Sequence, residues 1–112
     1  MTTEPDTDVR LLERVSRCFD PQGKLIRWPA KRSEQVPVLW ALWSRLPSGV
    51  VHTEQQISGL LKAMHAFGDH ALLRRELVEL GLVSRTDDCR EYRRVEQQVP
   101  PDAAALITAI QG

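Results

Sequence analysis

The chain predicts an α+β, mostly helical domain of winged helix-turn-helix type, with a C-terminal β-hairpin wing and a short terminal helix. Three observations lead there. A helix, a tight turn, a second helix and a charged hairpin follow one another between Thr53 and Val95. Capping signals bracket the helices: Thr53 with Gln56 three residues on forms a capping box, and Asp69 follows Gly68 at the turn as the natural cap of the second helix. Two β-like runs, 82–85 and 90–95, flank the turn Thr86-Asp87-Asp88-Cys89.

The remaining elements follow in order. Residues 1–7 are polar and expected to be disordered, leaving a single domain over 8–112. Val9, Leu11, Leu12, Val15, Cys18 and Phe19 recur at helical spacing, with Asp8 as the cap and Asp20-Pro21-Gln22-Gly23 as the stop. Leu25-Ile26-Arg27-Trp28 reads as a short extended segment halted by Pro29. Ser33 and Glu34 open the next helix, whose core residues are Val38, Leu39, Leu42 and Leu46. Pro37 is expected in its first turn, where a missing amide proton costs least. Val50-Val51-His52 suits a short strand beside the later hairpin. The third helix runs through Ile57, Leu60, Leu61 and Met64.

On the fourth helix, Leu73, Leu77 and Leu80 fall within about 60° of one another at 100° per residue. Arg75 lies nearly opposite them with Ala71 beside it, and Arg74 sits on the flank. Gly81 ends this helix. Alternation along the second hairpin strand puts Tyr92 and Arg94 on one side, and Glu91, Arg93 and Val95 on the other. After Pro100-Pro101, Asp102 is expected to cap a helix carrying Ala103, Leu106, Ile107 and Ile110.

The bulk numbers narrow the function. A chain of 112 residues suits one domain, and 42% hydrophobic with 27% charged residues is a globular composition. Fifteen basic and fifteen acidic residues give a net charge of zero, which argues against an indiscriminate polyanion binder but leaves room for a local basic face. Cys18 and Cys89 belong to no CxxC pair and read as reduced thiols rather than zinc ligands. No apolar run approaches the roughly 20 residues needed to cross a bilayer. The acidic start is unlike a signal peptide, so a cytoplasmic protein is expected. His52, His65 and His70 lack metal-ligand spacing, and no nucleophile sits in a recognisable elbow. The expectation is therefore a non-enzyme with neither metal nor cofactor.

Two sets of residues are candidates for binding. The first is a duplex-DNA surface: His70, Arg74 and Arg75 from the early turns of the fourth helix, with Arg85, Arg90, Arg93 and Arg94 from the hairpin. Glu76, Glu79, Asp87, Asp88 and Glu91 interleave with them, so a salt-bridged surface fits equally well, and Glu79 is spaced to pair with Arg75. The second is the acid-free window 23–32. Its Lys24, Arg27, Trp28, Lys31 and Arg32, with Arg75, would bind a small anionic ligand or a protein partner. Trp28 either stacks on a base or anchors the loop in the core. Trp40 and Trp43, three apart, read as core or as a packing interface. The apolar C-terminal helix predicts a homodimer through residues 102–110, unless it folds back over Trp40 and Trp43.

The run Phe19-Asp20, Gly23-Lys24-Leu25, Trp28-Pro29 and Lys31 resembles the opening of the small prokaryotic domain-of-unknown-function family numbered 2087. His52-Thr53-Glu54, Ile57, Leu60, His65, Asp69-His70, Leu73-Arg74-Arg75, Leu77-Val78, Gly81-Leu82, Arg85 and Tyr92-Arg93-Arg94 resemble the rest of it. The resemblance spans about residues 10–95. That family occurs alone and joined to ArsR-type transcriptional regulators, which implies a link to transcription. Its motif residues correspond to Trp28, Pro29, Lys31, Thr53, Glu54, Asp69, Arg74, Arg75, Arg85 and Tyr92, with no established biochemical role. The chain departs from the pattern at His52, where a tyrosine is common, and at Cys89-Arg90, where a glycine-containing turn is common.

Overall fold

A computed structural model describes residues 9–111. The expected N-terminal tail and the cap at Asp8 lie outside them. In chain order the elements are α1 (Val9–Ser16), α2 (Arg32–Ser44), β1 (Val51–His52), α3 (Glu54–Met64), α4 (His70–Glu79), β2 (Val83–Arg85), β3 (Tyr92–Arg94) and α5 (Pro101–Gln111). The fold is α+β. Helices hold about half the chain, less than the mostly helical content expected. The strands form one antiparallel sheet in the order β1-β3-β2, with His52 opposite Tyr92 and Arg85 also opposite Tyr92.

The fold is organised around α2. Every residue from Pro37 to Trp43 is buried, because α1 and α5 pack against this helix from one side and α4 from another. A helix enclosed this way is apolar all round, which explains why Trp40, Ala41 and Trp43 join Val38, Leu39 and Leu42 in the core. The Trp40 and Trp43 rings meet edge to face with centroids 5.1 Å apart. Pro37 lies in the second turn rather than the first, since the helix begins at Arg32. The missing amide frees the Ser33 carbonyl, and Ser33 is exposed, so water can satisfy it.

The caps expected for α3 and α4 are present. Gln56 N donates to Thr53 Oγ1 at 3.1 Å and Thr53 N to Gln56 Oε1 at 2.9 Å, while Leu72 N donates to Asp69 Oδ1 at 3.1 Å. Two other helix ends differ from expectation. α1 stops at Ser16, short of Phe19, because Phe19 instead bridges Leu25 across a turn organised by Asp20. Asp20 Oδ1 accepts from both Gln22 N and Lys24 N. α5 begins at Pro101, so Asp102 sits in its first turn and is not the cap. Proline at the first helical position loses nothing, since that amide has no partner in the helix.

The segment 24–28 is extended, as expected. Leu25 is fully buried and bridges both Phe19 and His65, with Leu25 N donating to Met64 O and Ala66 N to Leu25 O. Just before it, Gly23 has φ +84°, and its carbonyl accepts from the Arg45 guanidinium, which lies 5.6 Å from the Phe19 ring centroid. A Cβ at Gly23 would come within 2.9 Å of Arg45 Nη2 and 3.4 Å of the Ile110 carbonyl. Gly23→Ala should therefore combine left-handed backbone strain with displacement of Arg45. A destabilisation of about 1–3 kcal/mol is expected, read as a lower melting temperature. An unchanged melting temperature would show that this turn yields freely.

The apolar side of α5 is covered within the chain. Ala103 and Leu106 are buried, and Ile107 and Ile110 pack against the same core. This arrangement is the fold-back over α2 rather than an open apolar face, and it removes the main reason to expect self-association through residues 102–110.

Candidate functional site

A cleft of about 300 Å³ opens where α3, α4 and the hairpin meet, lined by Glu54, Ala71, Arg74, Arg75, Val78, Glu79, Arg85, Cys89 and Tyr92. Its position follows from local periodicity. Leu73 and Leu77 anchor α4 in the core, so Arg75 and Glu79 turn outward and Arg74 falls on the flank. Arg85 and Tyr92 are directly paired across β2 and β3, so both side chains leave the sheet on one face. Glu54 is the first residue of α3.

The groups in the cleft differ in how firmly they are held. Arg74 Nη1 donates to the buried Ser58 Oγ at 2.7 Å and ties α4 to α3. The Tyr92 hydroxyl donates to Glu54 Oε2 at 3.5 Å, a long bond. Burial pushes the Tyr92 pKa up, against a smaller lowering by the nearby Arg74 charge, so the phenol stays protonated and remains a donor. Arg85 Nη1 reaches Cys89 Sγ at 3.0 Å and the Thr86 carbonyl at 3.4 Å. Arg75 is exposed and makes no hydrogen bond or ion pair among the described residues, and the expected pairing with Glu79 does not form.

The hairpin turn shapes the rim of the cleft. Cys89 has φ +60°, the left-handed conformation that glycine adopts without cost. The turn thus takes a glycine-like backbone at a position held by cysteine. The Thr86 hydroxyl, at 2.6 Å, and the Arg90 amide, at 3.1 Å, both donate to Asp88 Oδ1 and hold its carboxyl below the usual range.

The arginines expected on one DNA surface separate into different roles. Arg74, Arg75 and Arg85 share the cleft. Arg90 is exposed at the turn, 3.8 Å from Asp88, and Arg93 points to solvent from the central strand. Arg94 turns inward. Its guanidinium lies 3.9 Å from the Trp43 ring centroid and donates to the carbonyls of Trp43, Ser44 and Leu46, and its side chain is 16% exposed. It braces the end of α2 and is not part of the outer surface. His70 faces elsewhere, lining a shallow depression with Lys24, Lys62 and His65.

The basic window 24–32 disperses in the same way. Lys24 lies in that depression, Arg27 Nη2 is 4.0 Å from Cys18 Sγ, and Arg32 pairs with Glu76 of α4 at 2.6 Å. Lys31 is the exposed N-cap residue of α2. Trp28 is half-buried against the core, which favours the anchoring role over an open stacking platform. His52 lies on β1, apart from His65 and His70, which share that depression. Among the described residues no group of three or more His, Cys, Asp or Glu side chains is placed to hold a metal ion. No helix among them is long and apolar enough to cross a membrane.

Residues 24–94 match the bacterial family described as an uncharacterized protein conserved in bacteria, DUF2087. The chain belongs to this family. The matched span runs from the extended segment before α2 to the end of β3, so α1 and α5 are helices outside it that cover α2. No curated protein and no solved structure gives a match. Glu54, Arg74, Arg75, Arg85 and Tyr92, all motif positions in the sequence resemblance, come together in the one cleft. Glu54, Tyr92 and Cys89 were missing from the sequence-derived binding set. The alternation grouping Tyr92 with Arg94 on one side of the strand was visible, but the contact with Glu54 across 38 residues was not.

Proposed function

We propose that this domain is a transcription-linked DNA-binding or regulatory module of winged-helix type, acting in the cytoplasm and without catalytic chemistry. The observation that carries the reading is the order α2-β1-α3-α4-β2-β3, with β3 lying between β1 and β2. That order sets the hairpin beside the exposed side of α4, as a wing stands beside a recognition helix. Arg74, Arg75 and Arg85 line the space between them, with Arg90 and Arg93 further along the hairpin. The interleaved Glu54, Glu79, Asp87 and Glu91 make this surface a poor indiscriminate polyanion binder, consistent with the zero net charge. The rival reading, an anion or partner site on segment 24–32, is weakened by the dispersal of its cations.

Fluorescence anisotropy with mixed duplex fragments tests the proposal. Affinity should fall steeply with salt, and Arg75→Ala should flatten the log–log slope by about one unit if Arg75 meets a phosphate. Among the described residues Arg75 has no partner to lose, so the fold should be unaffected. Absence of binding at ~50 mM salt, where non-specific contacts are readily seen, would end the reading.

A further inference from the structure

We propose that the cleft between α3, α4 and the hairpin is a binding site for a small organic anion, an apolar body carrying one phosphate or carboxylate group. This site stands whether or not the surrounding surface meets DNA. The volume of about 300 Å³ is at the lower end of what small-molecule sites occupy, so the ligand is small.

The lining specifies the chemistry. Arg74, Arg75 and Arg85 converge on the cleft, and each keeps donors to spare. A guanidinium has five N–H donors in a fixed fork. Arg74 uses one nitrogen on Ser58, Arg85 one on the weak acceptor Cys89 Sγ and the Thr86 carbonyl, and Arg75 none. Forked donors of this kind match the paired oxygens of a carboxylate or phosphate. The Tyr92 phenol adds a neutral donor whose bond to Glu54 is long at 3.5 Å.

Two further features limit the ligand. Ala71, Val78 and the Tyr92 ring give the cleft an apolar wall, which bare inorganic phosphate would leave unfilled. Glu54 and Glu79 lie in the same cleft and would repel a polyphosphate, so a single anionic group fits best. Arg74 is pre-positioned by Ser58, a buried hydroxyl, so part of the ordering cost of binding is already met.

The test is a titration of the full chain with phenyl phosphate, benzoate and inorganic phosphate, followed by 1H–15N resonances of the backbone and of the arginine Nε–H groups. The expected result is saturable shifts at Arg74, Arg75, Arg85 and Tyr92 with phenyl phosphate or benzoate, and weaker binding of inorganic phosphate. Which of the two aromatic anions binds tighter identifies the head group. Arg75→Gln and Arg85→Gln should each weaken binding by at least about tenfold, the loss expected when a charge-assisted bond is removed. Both side chains are exposed, so amide dispersion should show an intact fold, and Arg17→Gln, exposed and outside the cleft, should bind as the parent does. The proposal is overturned if neither aromatic anion gives saturable shifts by roughly 10 mM, a concentration above the weakest useful affinities. It is also overturned if the two arginine variants bind unchanged. Shifts at these arginines with duplex DNA but with no small anion would likewise overturn it, leaving the cleft as a DNA contact alone.

Discussion

Removing residues after Pro100 should abolish cooperative folding. Ala103 and Leu106 are buried at 2% and 0% exposure, and α5 packs more extensively on α2 than any other element does. Without it, the Trp40 side of the most buried helix faces water. The graded version is Leu106→Ala. Truncating a fully buried leucine costs about 2–5 kcal/mol, the transfer term plus the cavity left behind. For a domain of this size that is a fall in melting temperature on the order of 10 °C or more. Thermal unfolding followed by circular dichroism gives the number, and near-ultraviolet signals from Trp40 and Trp43 report whether α2 keeps its packing. The same pair of chains separates two roles for α5. If the helix were a dimer handle rather than a cover, the shortened chain would stay folded and light scattering would show only a smaller assembly.

Arg94→Ala should destabilise the fold by about 2–4 kcal/mol, whereas Arg93→Ala should stay within about 0.5 kcal/mol of the parent. The two residues are adjacent, carry the same side chain and lie in the same strand. Arg94 bonds three carbonyls at the C-terminal end of α2, the closest being Leu46 O at 2.8 Å, covers the Trp43 ring and pairs with Glu96 at 2.9 Å. Removing it takes donors from the carbonyls at the negative end of a helix, and, of the three, Trp43 O keeps the Leu46 amide at 3.0 Å. Trp43 Nε1 also donates to Val95 O at 2.9 Å, so the joint between α2 and β3 is fastened from both sides. Lysine at this position should restore only part of the loss, because an ammonium cannot fork to several carbonyls while stacking on an indole. Denaturant unfolding of the three variants measures the difference. Equal stability of Arg93→Ala and Arg94→Ala would show that the brace contributes nothing. Arg93, exposed on the hairpin, is instead the variant expected to affect DNA binding without touching the fold.

Local chemistry made most of the element list legible. Thr53 with Gln56, Asp69, Gly68 and Gly81 mark the bounds of α3 and α4 because caps and left-handed turns depend on a few neighbouring residues. The two-residue period of β3 put Tyr92 and Arg94 on one side and Arg93 on the other, but not which side faces the core. What periodicity did not convey was which of several apolar neighbours would cover a helix. Trp40 and Trp43 were ambiguous between core and interface until α5 was seen against α2. Phe19 has the spacing of a helical residue, yet Asp20 captures two backbone amides and turns the chain before the helix can reach it.

Charge was the least legible property. A run such as Tyr92-Arg93-Arg94 shows how many arginines the hairpin has but not which ones remain free, because pairing is decided by residues far away in the chain. Arg94 is taken by α2, Arg32 by Glu76, and Arg74 in part by Ser58, while Arg75 is unpaired among the described residues although Glu79 stands one turn away. The sequence by itself determined the caps and turns that bound α3, α4 and the hairpin, since these rest on interactions within a few residues. Only the tertiary structure decided that Glu54, Arg74, Arg75, Arg85 and Tyr92 meet in one cleft while Arg94 and His70 lie outside it. Convergence of that kind depends on how α3, α4 and the sheet pack around a shared core, and no local pattern encodes it.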